Sequence, residues 1–552
     1  ANFCWPAMHD VTKAFNIYPE NKEVADRYGI VMGSSHCEPM LRNNVTEWGQ
    51  ANAASYNYVT NRTGVLDYWR KRLEENGKYE NVYTIGMRGI HDGDMTGGGT
   101  VAQKVTRLNQ IITDERDLIS QEINKDVTKV PQIYCPYKEV LTYYQNGAVP
   151  PDDVTLVWAD DNHGYIRQLS TPAEQKRSGG AGVYYHISYW GVPHDYLWLT
   201  TTPPALIWEE LSKAYDYGAR NLWVINVGDL KPGEIDLTMA MSVAYDAKRY
   251  TLDNVDDYLK DFATRTFGSA YAAEIAGILK EYYHLNYQRK PEHLGFNASQ
   301  SNPRAVQPTE FSDAEITQRL AAFNALVRRA DTVNGKLPKQ QLDAFYELVL
   351  YPVRCSALQN VKMLQMDMNR RDAARGDAAA AIAAADQSKS AYDQIQTETA
   401  YFNDTLAGGK WKYMMSAAPH ATDVFKAPVF VTVGPTAAGA VPASEVRIQA
   451  PARAAVPAGT FADEGGYISI AAEHFSRKVD QGGAGWKVIA GLGREGDSVA
   501  VYPTTTPSIT DISKLPASAP ALEYDIDAGP GASTAKITLQ AIPTHRINPE
   551  RG

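Results

Sequence analysis

The sequence predicts an α/β protein: a TIM (β/α)8 barrel that lacks its first strand, then a helical domain and a C-terminal β-sandwich domain. Three observations support this prediction. Short apolar runs alternate with helical patterns in the first half, helical periodicity fills the middle, and short alternating strands fill the end. The 552 residues are enough for several domains, at about 100–200 residues each. We place three of them at residues 1–252, 253–418 and 419–552.

The first domain contains seven short apolar runs with helical patterns between most of them. Continuous apolar strands that alternate with helices are typical of a parallel sheet with crossover connections. The predicted helices include residues 63–77, 100–125 and 203–218. The predicted strands are residues 3–8, 29–35, 82–88, 132–138, 154–159, 183–189 and 222–227. Because the first run begins almost at Ala1, we expect the first barrel strand, an N-terminal domain and a signal peptide to lie upstream.

Helical periodicity defines the second domain, and alternating strands define the third. The predicted helices of the second domain cover residues 254–267, 270–286, 312–335 and 338–371, followed by an Ala-rich helix-forming stretch at 373–386. Such spacing favours an antiparallel helical domain. The third domain has predicted strands at residues 429–433, 467–472, 486–490, 498–502 and 536–541. Short alternating strands separated by Gly and Pro are typical of a β-sandwich.

Composition excludes several classes of protein. The net charge is -10, with 54 Lys and Arg residues against 64 Asp and Glu residues, which argues against a nucleic-acid-binding protein. No apolar run approaches the ~20 residues of a membrane-spanning helix. The four cysteines have no CxxC spacing, so no zinc or redox site is expected. We predict neither a metal ion nor a cofactor.

Polar and aromatic residues follow each predicted strand. In a (β/α)8 barrel the active site lies at the carboxyl ends of the strands, where the loops meet. These residues are His9, Asp10, His36, Glu38, Arg88, His91, Asp92, Asp94, Tyr137, Lys138, Glu139, Asp160, Asp161, Asn162, His163, Tyr184, Tyr185, His186, Tyr189, Trp190, Asn226 and Asp229, with Trp5 inside the first strand. Aromatic rings pack on sugars, and paired carboxyl groups hydrolyse glycosidic bonds. The positive charge of Arg88 would suit an acidic sugar.

Ordered motifs give a more specific prediction. They are FCWPAM at residues 3–8, YGIVMGSSHCEPM at 28–40, YTIGMRG at 83–89, YKEV at 137–140, VPPDDVTLVWADDN at 149–162, GGAGVYYH at 179–186, LWVINVGDLKP at 222–232 and GWKVIAGLGREGDSVAVYPTTTP at 485–507. Together they resemble glycoside hydrolase family 115, the α-glucuronidases. The resemblance implies an inverting hydrolase that releases glucuronic or 4-O-methylglucuronic acid from xylan side chains. It also implies a secreted or periplasmic homodimer whose partner is a glucuronidated polysaccharide or oligosaccharide.

The resemblance also assigns roles to individual residues. Arg88 is implied to bind the uronate carboxylate, since a guanidinium binds carboxylate with two parallel hydrogen bonds. Asp92 is the candidate general acid, and an alignment with a gap would favour Asp94 instead. Glu139 is the candidate base that activates water, and Asp160 shares that role. The implied substrate-binding residues are Trp5, His36, Glu38, Tyr137, Asn162, His186 and Tyr189.

Three alternatives remain open. The loop after the MRG motif differs from the family pattern, which leaves room for another polysaccharide bearing uronic acid, such as arabinogalactan. A non-catalytic carbohydrate-binding barrel would keep the aromatic residues without paired acids. A metal-dependent hydrolase would be centred on His36, Glu38 and His186.

Overall fold

The computed structural model describes residues 2–6, 15–228, 230–296, 305–432, 459–463, 466–529 and 534–547. His9, Asp10 and Asp229, and the side chain of His91, lie outside the described residues, as do residues 7–8 and 433 at the ends of two predicted strands. The chain divides into two compact units. One contains residues 1–185, 213–225 and 543–552, and the other contains residues 186–212 and 226–542. The predicted three-domain division stays a prediction.

Each of the seven predicted strands of the first half overlaps a strand of the structure. They are β1 (Phe3–Cys4), β2 (Val31–Met32), β3 (Tyr83–Thr84), β4 (Gln132–Tyr134), β5 (Thr155–Ala159), β6 (Ala181–His186) and β7 (Ala219–Asn226). β6 and β7 begin two and three residues before their predicted ranges. β1 and β2 form a parallel pair, and β3 to β7 form a five-stranded sheet in chain order. The Val82 amide donates to the Met32 carbonyl, so β2 lies beside β3. Among the described residues no pairing closes this row into a barrel, and barrel closure therefore stays a prediction.

Helices connect most of these strands, as crossover connections in a parallel sheet require. They are α1 (Pro19–Arg27), α2 (Arg62–Asn76), α3 (Val101–Glu122), α4 (Glu139–Gln145), α5 (Pro204–Asp216) and α6 (Glu234–Tyr245). The exception is the connection from β5 to β6, which has only a 3-10 turn at Glu174–Lys176, and α6 follows β7. α3 begins at a capping box: the Thr100 hydroxyl accepts from the Gln103 amide, and the Gln103 side chain accepts from the Thr100 amide. That reciprocal pair satisfies two backbone donors that the first turn leaves open. α4 begins shortly after the short strand β4, which places Glu139 in its first turn.

One apolar cluster lies along one face of this sheet. Its buried members come from β4 to β7 and the residues that follow them, with Val157 fully buried on β5 and Tyr184 on β6. Trp5 and Phe3 pack against the cluster from the first strand and the residues after it. Period-2 alternation puts every second side chain of a strand on the same face, so Tyr137 and Ala159 lie at the end of the cluster where the strands finish. This is the edge at which the predicted site residues occur.

The middle of the chain is helical, as predicted. It contains α7 (Tyr258–Phe267), α8 (Ala272–Gln288), α9 (Asp313–Asn334), α10 (Lys339–Phe345), α11 (Tyr351–Arg375) and α12 (Ala378–Asp404). The break between α11 and α12 falls at Gly376, whose φ of 79° is left-handed, and glycine adopts this conformation without steric cost. Asp377 then caps α12 by accepting from the Ala380 amide at 3.0 Å. The Ala-rich stretch therefore forms the start of α12, which extends well beyond residue 386.

The C-terminal part is less regular than the predicted β-sandwich. The structure has β8 (Phe461–Ala462), β9 (Arg477–Val479), β10 (Gly485–Ile489), β11 (Ser498–Tyr502), the short helix α13 (Leu515–Ser518), β12 (Ala521–Glu523) and β13 (Ile526–Asp527). The strands pair as three two-stranded sheets, β10 with β11, β12 with β9 and β13 with β8. Predicted strands 486–490 and 498–502 are confirmed by β10 and β11. Residues 429–432, 467–472 and 536–541 form no strand, so these three predictions are wrong over the described residues.

Across the described residues, no helix combines the length and the apolar character needed to cross a membrane.

Candidate active site

Several predicted site residues meet at the carboxyl ends of β3, β4 and β5. Arg88 follows β3, Tyr137 and Glu139 follow β4, and Asp160 follows β5 directly. Because neighbouring parallel strands end at the same edge of a sheet, residues far apart in sequence come together there. The structure joins Arg88, Asp92 and Glu139 by direct contacts.

Arg88 holds two of the predicted catalytic carboxyl groups. Its Nε and Nη2 donate to the two oxygens of Glu139, both at 2.8 Å. Its Nη1 donates to the Asp92 carboxylate, and Nη2 also donates to the Asp92 carbonyl at 2.9 Å. The Arg88 side chain is only 3% exposed. Burial by itself would lower the pKa of Arg88, but the hydrogen bonds with Glu139 outweigh burial and raise it, so the fork remains charged and orients both acids.

Asp92 is surrounded by donors. His36 Nε2 lies 2.8 Å from Asp92 Oδ1, the oxygen that also accepts from Arg88. Lys138 Nζ donates to the other oxygen, Oδ2. Both lone pairs of Oδ1 are thus engaged. A proton on Asp92 would have to sit on Oδ2 and displace Lys138, whose side chain is 36% exposed.

Asp94, the alternative acid, has a different environment. Its carboxylate accepts from Tyr143 OH at 2.7 Å and from the Met95 amide at 2.7 Å, and it forms an ion pair with Lys104. Burial would raise the pKa of Asp94, but the hydrogen bonds from Lys104 and Tyr143 outweigh burial and lower it. A carboxyl group with a lowered pKa is poorly suited to carry a proton to a leaving group. The cations beside Asp92, Arg88 and Lys138, oppose its protonation in the same way, so the contacts alone do not decide between the two acids.

Four aromatic side chains form a wall beside these acids. Trp5 and Tyr184 have ring centroids 4.7 Å apart. The His36 ring meets the Tyr137 ring edge to face at 4.5 Å and lies 5.6 Å from Tyr184. Lys138 Nζ lies 5.1 Å from the centre of the Tyr137 ring. Aromatic faces next to charged groups are the surface that a sugar ring with hydroxyl and carboxylate groups requires.

The loop after β5 holds Asn162 in place. Asp160 is 1% exposed, and its two oxygens accept from the Asn162 and Gly164 amides, each at 3.1 Å. Asn162 Oδ1 in turn accepts from Tyr137 OH at 2.6 Å. Asp160 therefore stabilises this loop by binding two of its backbone amides. Asn162 links the loop to Tyr137, which follows β4.

Three residues of this region have a left-handed backbone. The φ angles are 62° at Asp92, 51° at Lys138 and 76° at Asn162. None is glycine, so each conformation costs about 1–3 kcal/mol, which the surrounding contacts must offset. Backbone strain of this kind is concentrated at functional sites. The strain at these three residues supports the assignment of their loops to a functional site.

The segment that follows β2 is deeply buried. Glu38 is 0% exposed, and its assignment as a substrate-binding residue stays a prediction. Cys37 is also buried, with Sγ 3.3 Å from Ser35 Oγ, and burial raises the pKa of this thiol. His36, Cys37 and Asp92 each offer a ligand atom within 4.8 Å of the others. However, Asp92 already accepts from two cationic side chains, Arg88 and Lys138, which would oppose a bound metal ion.

His186 and Tyr189 belong to the second compact unit. Within it, their rings meet edge to face at 5.5 Å. His186 is 1% exposed and Tyr189 is 5% exposed. Their assignment as substrate-binding residues stays a prediction.

Two residues were not assigned a role from the sequence although the structure places them in this cluster. Lys138 lies inside the YKEV motif, between two residues that were assigned roles, and Tyr184 lies inside GVYYH. A lysine beside an aromatic ring and a tyrosine on a buried strand are both common outside functional sites. The signal in the sequence was their position at the predicted strand ends, which does not by itself assign a role.

Two family models match this chain. The family model for glycosyl hydrolase family 115 matches residues 1–293, and the model for the C-terminal domain of that family matches residues 460–552. The chain belongs to glycosyl hydrolase family 115. Comparison with curated proteins gives no match.

Among solved structures, the chain is similar to a family GH115 4-O-methyl-α-glucuronidase with specificity for decorated arabinogalactans. The identity is 37% and the TM-score is 0.75, over 90% of this chain and 61% of that chain. The chain thus corresponds to about three fifths of that enzyme's length. A GH138 enzyme targeting pectin rhamnogalacturonan II matches at 12% identity and TM-score 0.43, over 70% of this chain and 52% of that one. A family 89 glycoside hydrolase from Clostridium perfringens matches at 10% identity and TM-score 0.42, over 60% of this chain and 35% of that one.

Proposed function

We propose that this protein is an α-glucuronidase that hydrolyses glucuronic or 4-O-methylglucuronic acid from the side chains of a polysaccharide. The observation that carries the proposal is the Arg88 fork, which joins Asp92 and Glu139 beside an aromatic wall at the end of a parallel sheet. Membership of family 115 supports the same reaction. Decorated arabinogalactan is the favoured substrate because the similar enzyme has that specificity, and glucuronoxylan is the competing substrate.

We assign the base role to Glu139 rather than to Asp160. The Glu139 side chain is 26% exposed, so a water molecule reaches it, and Arg88 fixes its orientation. Hydrogen bonds engage both oxygens of each acid, so solvent access decides between them: Asp160 is only 1% exposed, and its oxygens hold the Asn162 and Gly164 amides of its own loop. In the proposed reaction Glu139 takes a proton from water, the water oxygen attacks the anomeric carbon, and the glycosidic oxygen leaves with a proton from the acid.

Asp92 is the proposed acid. Its protonation at Oδ2 requires Lys138 to move away, and the partly exposed Lys138 side chain has the freedom to do so. A uronate carboxylate near Lys138 would attract the ammonium group and release Oδ2. The uronate role predicted for Arg88 stays a prediction, since four hydrogen bonds already tie Arg88 to Glu139 and Asp92.

Product analysis tests the reaction itself. Proton NMR of the first sugar released from an α-linked 4-O-methylglucuronyl oligosaccharide should show the β anomer before mutarotation. Initial α product would refute inversion. Parallel rates on glucuronidated arabinogalactan and glucuronoxylan fragments identify the polysaccharide, and no release from either would refute the proposed function.

Azide rescue separates the two candidate bases. In Glu139→Ala, azide should take the place of activated water and form the β-glucuronosyl azide from a substrate with a good leaving group. Asp160→Ala should lose activity through disorder of its loop and should not be rescued. Rescue of Asp160→Ala alone would reverse the assignment.

A further inference from the structure

An exposed tryptophan lies in a short hairpin that follows β6 in the chain. Tyr189 and Tyr196 pair through reciprocal amide-to-carbonyl hydrogen bonds of 3.0 and 2.9 Å. Between them, the Gly191 amide donates to Asp195 Oδ1 at 2.7 Å. A Cβ at Gly191 would lie 2.2 Å from the Tyr189 hydroxyl oxygen, so a larger residue there would displace the Tyr189 side chain. These contacts define the hairpin, and Trp190 lies at its start.

The orientation of the Trp190 ring is fixed by a chain of two hydrogen bonds. Trp190 Nε1 donates to His420 Nε2 at 2.8 Å, so that nitrogen carries no proton. His420 Nδ1 then carries the proton and donates to Asp195 Oδ2 at 2.6 Å. The Asp195 side chain is 4% exposed, and His420 has a left-handed φ of 55°. A buried carboxylate and a strained backbone thus serve to orient one indole ring.

This arrangement leaves the indole partly exposed. The His420 ring lies at the N–H edge of Trp190, with centroids 4.5 Å apart and the two ring planes tilted by 59°, so it does not stack on the indole, and Trp190 is 40% exposed. A single exposed aromatic residue needs no explanation, but a ring whose N–H is already bonded and whose orientation is fixed is organised in advance for stacking. Asp195 places a negative charge behind it, which favours a neutral ligand over an acidic sugar.

We propose that Trp190 forms a binding subsite for a neutral pyranose of the polysaccharide that carries the uronic acid. The C–H face of the sugar would stack on the open indole face, and His420 and Asp195 are positioning residues for that ring. This subsite rests on the proposed glycosidase function for its biological meaning, although it binds a different sugar from the one that is cleaved.

Kinetics on two substrates test the subsite. The long substrate is a glucuronidated oligosaccharide of at least six neutral sugars, and the short one carries a single neutral sugar. Trp190→Ala should raise KM for the long substrate about fivefold to tenfold, the loss expected for one aromatic contact, with kcat unchanged. The short substrate should be hydrolysed as by wild type. Equal losses on both substrates, or no loss on either, would overturn the proposal.

Direct binding separates this proposal from the proposed function. Calorimetry with neutral xylo- and galacto-oligosaccharides should give weak binding to wild type that Trp190→Ala abolishes and His420→Ala weakens. If wild type binds neither oligosaccharide the subsite is refuted, whatever the enzyme hydrolyses; if it binds one but hydrolyses nothing, only the proposed function fails.

A matched control uses another exposed aromatic residue. Tyr245, at the end of α6, is 92% exposed, and Tyr245→Ala should bind neutral sugars and cleave both substrates as wild type does. Melting temperatures within error of wild type confirm that each variant is folded. A change of oligomeric state in Trp190→Ala, measured by light scattering, would instead identify the ring as a contact between copies of this chain and overturn the subsite.

Discussion

Replacing Arg88 by lysine keeps the charge and removes the fork. Arg88 makes four hydrogen bonds to Glu139 and Asp92, from three different nitrogens. A lysine ammonium has one nitrogen at the end of a flexible chain, so it reaches at most one oxygen of each partner, and two of the four contacts are lost. Hydrogen bonds to charged groups contribute about 1.5–3 kcal/mol each. The expected loss is therefore at least about 3 kcal/mol.

We expect that loss to appear mainly in catalysis. If both lost contacts serve to orient the two acids, kcat/KM on a glucuronidated oligosaccharide should fall at least about 100-fold, since about 1.4 kcal/mol corresponds to a factor of ten. Initial-rate assays measure this directly, and thermal melting shows whether the variant remains folded. Catalytic efficiency within about threefold of wild type in a folded variant would refute the reasoning.

Arg62 provides a matched control. It makes the same kind of pair with Asp114, through Nε at 2.7 Å and Nη2 at 2.8 Å, but its side chain is 54% exposed. Arg62→Lys removes an equivalent pair of parallel hydrogen bonds, those to Asp114, and should leave kcat/KM unchanged. A comparable fall in both variants would assign the effect to the stability of the unit rather than to the site.

Three other predictions concern different groups. Lys138→Met should raise KM for uronate substrates at least about tenfold through loss of a charge contact. Lys104→Met removes the corresponding lysine beside Asp94 and Tyr143 and should have little effect; the reverse pattern in initial rates would move the acid role to Asp94. Burial lowers the pKa of Lys362 to about 7, so between pH 7 and the unfolded value of 10.5 only the unfolded state holds the proton. Stability should therefore rise with pH across that window, by up to about 1.4 kcal/mol per pH unit. In Lys362→Met the free energy of unfolding, measured with denaturant, should rise less between pH 7 and 10.5 than in wild type. An equal rise in the two proteins would refute the lowered pKa of Lys362. Finally, prolonged EDTA treatment should leave activity unchanged, because Arg88 and Lys138 occupy the carboxylate that a metal at His36 would need; loss of activity restored by a divalent cation would contradict this.

Much of the local structure follows from periodicity and capping. The run at 154–159 predicts β5 because six apolar or β-branched positions stand between turn residues, and the structure agrees within one residue. The strand at 498–502 is predicted with its observed bounds for the same reason. The predicted strands at 467–472 and 536–541 fail because alternation of side chains does not supply a pairing partner. A strand exists only where a neighbour accepts its backbone hydrogen bonds.

The sequence by itself also determined which residues follow each strand and which family motifs they belong to. It could not determine how those residues contact one another. Arg88 and Glu139 are 51 positions apart, and His36 and Asp92 are 56 apart, so their meeting depends on the order and register of the strands that carry them. The left-handed backbone at Asp92, Lys138 and Asn162 is likewise hidden from any pattern of residue types, because it is imposed by surrounding contacts. Tertiary structure decided that Arg88 clamps two acids and that Lys138 shares Asp92, since hydrogen-bond geometry in space, unlike periodicity along the chain, sets where a charge finds its partner.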